Sequence, residues 1–342
     1  MQALDNIVRA ARLAPSRIVL CEGEDPRVLR AAVRSAREGI AQIILIGNLQ
    51  RISVAASSYR VDLSGLTVID PSRSSATEEF AAELYGIRRH KGLTLDAARL
   101  AMLTPLGYAN MMVRLGHADG IVAGAVHTTS DVVRSAIQII GLDPTCRVVS
   151  SFFLMLFGEP WHPRPGAYVF TDCALVVNPD AEELAEIALA AAGNARRLLQ
   201  QEPRVAMLSF STNGSAEHPL VTKVIRASRL IKARCPELAI DEDVQVDAAI
   251  IPEVALRKLP DSVVRGLANV LVFPNLEAGN IGYKLAERLS GAFAIGPMLQ
   301  GLAKPASDLS RGCSEDDVFY VIAVTVLGTG VRADAGATAC PP

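Results

Sequence analysis

The sequence has no C-x-x-C pair, no histidine at metal-ligand spacing and no excess of positive charge. Its six cysteines, Cys21, Cys146, Cys173, Cys235, Cys313 and Cys340, stand singly along 342 residues. That pattern argues against a zinc site or a disulfide framework and for reduced thiols. A formal net charge of -2 supplies no global positive field to gather nucleic acid or an anionic membrane. No apolar run reaches the roughly 18 residues of a membrane span, and the N-terminal stretch lacks the build of a signal peptide. The G-x-S-x-G elbow, the G-x-x-x-x-G-K-[ST] phosphate loop and the G-x-G-x-x-G fingerprint are also missing. What is left is a soluble cytoplasmic protein whose partners are small molecules, with no nucleic acid and no membrane among them.

The length exceeds that of one ordinary core, so two domains or one large α/β domain are expected. Short apolar runs alternate with helix-period segments: "IVLCEG" then "DPRVLRAAVRSAREG", "LTVID" then "ATEEFAAELYGIRRH", "GIVAGAVHTTSD" then "VVRSAIQII". Strict alternation implies right-handed parallel crossovers and an α/β sheet covered on both faces. The pattern changes at "RVVSSFFLMLF" and "AYVFTDCALVV", joined by the Pro-rich "GEPWHPRPG", which reads as an antiparallel excursion or a domain border. In "NPDAEELAEIALAAAGNARRLLQ", Asn178 is a candidate cap with Pro179 at the first helical position. The final residues, "VRADAGATACPP", read as a frayed tail.

Ligands of open parallel sheets bind at the carboxyl ends of strands, so loops between strand and helix are the places to search. Four mix glycine with hydroxyls or amides: Gly124 to Arg134, Ser209 to Ala216, Phe273 to Lys284 and Ser307 to Asp317. Each has a bland reading as an ordinary turn or cap, and a functional one as an anion site. Arg88, Arg134 and Arg311 lie at or beside these loops or at helix ends, where a guanidinium fork matches phosphate. For Arg88, "RRHKG" is also a fitting helix C-terminus. Ser314-x-x-Asp317 ahead of "VFYVIAVTV" is a capping-box pattern, which does not prevent Asp317 from also serving as a proton acceptor. His127 is either a base or a hydrogen-bonded structural residue, and Cys173 reads as a buried thiol.

Taken together, "AGAVHTTSDVVRSAIQII", "FPNLEAGNIGYKLAERL" and "IGPMLQGLAKPASDLSRGCS" resemble the phosphate acetyltransferase (phosphotransacetylase) family, within the phosphate acetyl/butyryl transferases. The likeness extends from "IVLCEGEDPRVLRAA" through "RVAMLSFSTNGSA" to Asp317, nearly the whole chain. It implies two α/β/α domains flanking a cleft, like those of isocitrate and isopropylmalate dehydrogenases. The first would be discontinuous, 1–146 plus 297–342, and the second 147–296. It further implies a homodimer, coenzyme A as a substrate, no required cofactor and no metal.

By the same resemblance Asp317 matches the catalytic aspartate, Ser310 and Arg311 open its S-R-G-C-S-x-x-D motif, and Arg88, Arg134 and Lys284 hold the anionic substrates. Thr128, Thr129, Asn280 and Ser211, in the same loops, are further substrate-binding candidates. The family often has lysine where Asn213 stands, and "GEPWHPRPG" with Trp161 is an unusual join. The implied chemistry is attack of the coenzyme A thiolate on the carbonyl carbon of acetyl phosphate, with phosphate leaving and Asp317 taking the thiol proton. An ordinary aspartate facing an ordinary thiol is mismatched by roughly 4.6 pH units, about 6 kcal/mol for complete transfer, so proton transfer should accompany attack or the site should shift one partner. Transfer of longer acyl groups and non-catalytic sensing of acetyl-CoA are the alternatives.

Overall fold

The apolar runs become strands β1 (Ser16–Leu20), β2 (Ala41–Ile46), β3 (Thr67–Ile69), β4 (Gly120–Ala123), β5 (Ser150–Phe157), β6 (Gly166–Thr171), β7 (Arg204–Leu208), β8 (Ala239–Val244), β9 (Val270–Val272), β10 (Phe293–Gln300) and β11 (Ala306–Asp308). This computed structural model describes residues 2–330. The tail read as frayed lies outside the described residues. The chain divides into two compact units, one from Leu4–Asp143 with the segment that starts at Leu302, the other from Pro144–Gly301.

In the first unit the strands run β3-β2-β1-β4-β11, all parallel. Helices cover such a sheet on both faces, which is why β1 and β4 are near-continuous apolar runs: Ile18, Val19, Leu20, Ile121, Val122 and Ala123 are all buried. Helix Glu315–Thr329 packs on β1, β4 and helix Pro26–Arg37. It is apolar nearly all round, with Val318, Phe319, Val321, Ile322 and Val326 buried, and so belongs in the core. Helix Thr77–Arg88 continues into a short 3-10 turn, Arg89–Lys91, closed by Gly92 at φ +85°. The "RRHKG" stretch is therefore a helix end, as its basic residues and glycine imply.

The second unit orders its strands β10-β5-β6-β9-β7-β8, with β5 antiparallel to both neighbours and the remaining pairs parallel. "GEPWHPRPG" is thus the turn of the β5–β6 hairpin, while the border between the units falls upstream, after Asp143. Trp161 in this turn stays 68% exposed, its indole N–H directed at the Ser290 carbonyl, 3.4 Å away. One expectation is corrected. The long helix spans Ala181–Leu199, and its cap is Asp180, not Asn178. Asp180 exchanges hydrogen bonds with Glu183, three residues on, a reciprocal capping box that Asn178 cannot make; Asn178 accepts from Lys223 Nζ instead.

Candidate active site

Glu22 follows β1 and is 7% exposed. Its carboxylate accepts the backbone N–H groups of Gly124, Ala125, Val126 and His127 at 2.8–3.1 Å, and meets His127 Nδ1 at 2.8 Å. Burial alone would raise its pKa. The His127 ring and the amides outweigh burial and hold it below the usual carboxylate range. Glu22 in turn raises the pKa of His127, which makes His127 a structural partner and a poor candidate for the catalytic base. Cys21, Glu22 and His127 place three ligand-type atoms within 4.8 Å of one another. The Glu22 oxygens are already taken by four amide donors, an arrangement that stabilises a loop and leaves little capacity to ligate a metal.

The loop held by Glu22 leads into helix Thr129–Ile139. Thr128 caps it, accepting from Asp131 N at 3.2 Å and donating to Asp131 Oδ2 at 2.8 Å. Arg134, one turn later, pairs with Asp131 at 3.2 Å and is well exposed. Arg88 and Arg134 line one cavity of about 470 Å³ with Lys91, Thr104, Gly107 and Ser135 among its other walls. Three cations face it and Asp131 is the single carboxylate of its lining. Among the described residues nothing pairs with the Arg88 guanidinium. The arrangement suits an anion.

The Asp308–Asp317 stretch begins at the carboxyl end of β11, where Leu309 N donates to Ala123 O at 2.8 Å. Asp308 is fully buried, and neither carboxyl oxygen has a partner at hydrogen-bond geometry among the described residues. Burial pushes its pKa up to about 7, against the Thr129 hydroxyl and the Leu309 N–H, which act the other way. Ser310 and Arg311 are exposed; the Ser310 carbonyl accepts from Cys313 N at 2.9 Å, and its hydroxyl from Gly312 N at 3.2 Å. Ser314 caps the helix, with Asp317 as its capping-box partner. Asp317 Oδ2 accepts from the Ser314 N–H and hydroxyl, and no donor reaches Oδ1 among the described residues. Burial raises the Cys313 thiol to about 11, so it is no nucleophile near neutrality.

Arg27 stitches these pieces together. Its guanidinium donates to both Asp25 oxygens, to Arg311 O at 2.8 Å, to Cys313 O at 2.9 Å and to Ala125 O at 2.9 Å.

The remaining predicted residues belong to the second unit. Ser211 is buried and donates to Asp243 Oδ2 at 2.8 Å, and the same oxygen accepts from Gly214 N. Asn213 sits in the left-handed region at φ +50°. Asn280 donates to Cys173 O at 2.9 Å, while Lys284 is exposed with Nζ 5.9 Å from the Tyr283 ring centre. Gly279 lets helix Leu276–Ser290 approach the loop after β6, since a Cβ there would lie 2.1 Å from Asp172 O. Asp172 itself accepts from the Ser151 hydroxyl and from Ala174, Leu175 and Val176 N.

The sequence profile described as "Phosphate acetyl/butaryl transferase" matches residues 2–326. The chain belongs to that family. Among relatives, it is 48% identical to phosphate acetyltransferase of Paracoccus denitrificans, over 96% of this chain and 100% of that protein. It is 46% identical to phosphate acetyltransferase of Clostridium acetobutylicum, over 96% and 98% respectively. The solved phosphotransacetylase of Streptococcus pyogenes superposes with a TM-score of 0.89 at 39% identity, covering 96% of this chain and 98% of that one. EutD phosphotransacetylase from Staphylococcus aureus gives 0.87 at 40%, covering 95% and 99%. The phosphotransacetylase resemblance and the α/β fold it implies are therefore correct.

The four loops read for function in the sequence contain Asp308 without singling it out, and they leave out Glu22 and Arg27. In sequence, Asp25-Pro26-Arg27 reads as a helix start, and it is one: Asp25 caps helix Pro26–Arg37 through Arg27 N. The only hint was a charge-rich "EGEDPR" at the carboxyl end of a strand. Lys91 lies in "RRHKG", whose local pattern reads as a helix end alone.

Proposed function

We propose that this chain catalyses reversible acetyl transfer between acetyl phosphate and coenzyme A, giving acetyl-CoA and phosphate. The observation that carries the reading is 46–48% identity, over 96% of the chain, to proteins named phosphate acetyltransferase. The cavity lined by Arg88, Lys91 and Arg134 supports it, because both substrates are anions. In the proposed step the thiol sulfur of coenzyme A bonds to the acetyl carbonyl carbon, the bond from that carbon to the phosphate oxygen breaks, and phosphate departs with the electron pair. Asp317 takes the thiol proton through its open Oδ1 as attack proceeds. Arg311 and Ser310 hold the developing oxyanion; Arg88, Arg134 and Lys284 hold phosphate groups.

Thr129 faces substrate in this reading. Thr128, Ser211 and Asn280 spend their side chains on Asp131, Asp243 and Cys173, so their part is to fix the loops that substrate meets. Atoms balance without a metal or a cofactor; coenzyme A enters as substrate. A cytoplasmic location is part of this reading, supported by the reaction's demand for coenzyme A; among the described residues no helix is long and apolar enough to cross a membrane. We assign a homodimer, supported by the exposed row Ile281, Leu285 and Leu289 at helical spacing on one face of helix Leu276–Ser290.

The test is absorbance at the thioester band when purified protein, treated with chelator, meets coenzyme A and acetyl phosphate. Rapid thioester formation, faster with acetyl than with propionyl or butyryl phosphate, is expected. A higher rate with butyryl phosphate would reassign the chain length, and binding of acetyl-CoA without turnover would make the protein a sensor.

A further inference from the structure

Two loops of the first unit carry Thr128, Thr129, Ser310, Arg311 and Asp317: Gly124 to Thr129, which enters the helix of Arg134, and Asp308 to Asp317. Backbone-to-backbone bonds to other segments are few: Leu309 N reaches Ala123 O and the Ser310–Cys313 turn closes on itself, while Glu22 takes the N–H groups of Gly124 to His127 and leaves their carbonyls to other donors. The Arg311 and Cys313 carbonyls point at the same guanidinium nitrogen, Arg27 Nη1, and the Ala125 carbonyl at Nη2. Arg27 thus joins residues 98 and 284 positions away from it. Asp25 fixes the guanidinium through Nε and Nη2 at 3.0 and 2.8 Å, with the pair largely shielded from solvent.

We propose that Arg27 is a positioning residue for acyl transfer, fixing the Ser310-Arg311 turn and the Ala125 loop in one geometry. It touches the backbone of the turn and no reacting atom. A guanidinium presents five donors in a rigid plane, and here that plane spans three carbonyls and a carboxylate. An ammonium has a single nitrogen and cannot stand at all of these places. If the oxyanion is held by Ser310 and Arg311, a turn free to shift by about 1 Å would lose on the order of a hundredfold in rate while still admitting substrate. The effect belongs in kcat and leaves KM nearly alone. This inference rests on the acyltransferase reading for its kinetic half only.

Arg27→Met, Arg27→Lys and a control, Arg12→Gln, separate the outcomes. Arg12 bonds Glu38 and touches none of the assigned residues. Expected are a fall in kcat of at least tenfold for Arg27→Met with both KM values within threefold, partial recovery in Arg27→Lys, and wild-type kinetics for Arg12→Gln. Native-state amide exchange should quicken in residues 310–313 and 124–127 of Arg27→Met while helix Glu315–Thr329 keeps its protection. Unchanged kcat and exchange would overturn the proposal. So would a loss of kcat matched by general loss of protection, with the lysine variant equally impaired, because Arg27 would then serve only the fold. A wild type that makes no thioester would overturn the acyltransferase reading, and the exchange pattern would still decide whether Arg27 holds the two loops.

Discussion

Ser314 and Asp317 hold each other: Asp317 Oδ2 accepts the Ser314 N–H at 2.7 Å and its hydroxyl at 2.9 Å, and the Asp317 N–H donates to Ser314 Oγ at 3.1 Å. A cap and a proton acceptor are thus one side chain using different oxygens. Asp317→Asn keeps an acceptor oxygen for Ser314 and loses the basic carboxylate. Turnover should fall by at least a hundredfold, while the melting midpoint moves by less than about 3 °C. Parallel loss of activity and of the melting midpoint would reduce Asp317 to its capping role.

Gly124 has φ +110°, and a Cβ there would lie 2.2 Å from Asp308 Oδ1 and 2.6 Å from Leu309 N. Strain and clash act together, so Gly124→Ala should destabilise by about 3 kcal/mol or more. Denaturant unfolding would measure it, and a shift below about 1 kcal/mol would show that the two loops part easily.

Asp308 gives stability a pH dependence of known sign. Its pKa lies at about 7, above the ordinary 3.8, so between those values the folded chain keeps a proton that the unfolded chain has released. Its contribution is full below the unfolded value and is lost as pH rises through about 7. His127, also raised, adds to the loss on the alkaline side. Glu22, lowered, acts oppositely: its contribution is present above its unfolded value and disappears as pH falls. Asp308→Asn should flatten the decline on the alkaline side and leave the acid limb, as thermal melts from pH 4 to 9 would report.

Among the described residues Arg88 spends its charge on no protein group, and Arg134 has there only an exposed pair with Asp131, a contact worth little. Replacing either by glutamine should leave the melting midpoint within about 2 °C and raise KM for an anionic substrate by ten- to a hundredfold. Steady-state kinetics at two salt concentrations would check both the size and the ionic character of the loss.

Leu285→Glu places a charge in the exposed row Ile281–Leu285–Leu289. Light scattering should show the mass of one chain for this variant and of two for the wild type. Equal masses would move the interface elsewhere.

Local pattern made much of this readable. The strand and helix alternation, the Gly92 helix end and the Ser314–Asp317 box follow from neighbours within four residues, whose chemistry decides the backbone directly. The cap of the long helix was missed by two positions because Asn178 and Asp180 are both good caps, and only the reciprocal bond to Glu183 separates them. Glu22 and Arg27 were out of reach for a different reason. Their partners lie about 100 to 286 residues along the chain, and nothing in "EGEDPR" states which carbonyls or amides will arrive. Asp308 was hidden in plain sight inside a motif read for its serine and arginine, because burial without a partner is a property of the folded surroundings alone.

Glu22 grips the Gly124–His127 loop almost wholly through main-chain N–H groups, and that divides the tolerance of the two segments to mutational drift. Any residue except proline offers the same N–H, so an exposed position such as Val126 is free to vary under selection or in a laboratory library without disturbing the grip. Position 22 has no such latitude. Even an isosteric glutamine would turn one acceptor into a donor facing a backbone N–H, so the information for the loop's shape is stored a hundred residues away from the loop.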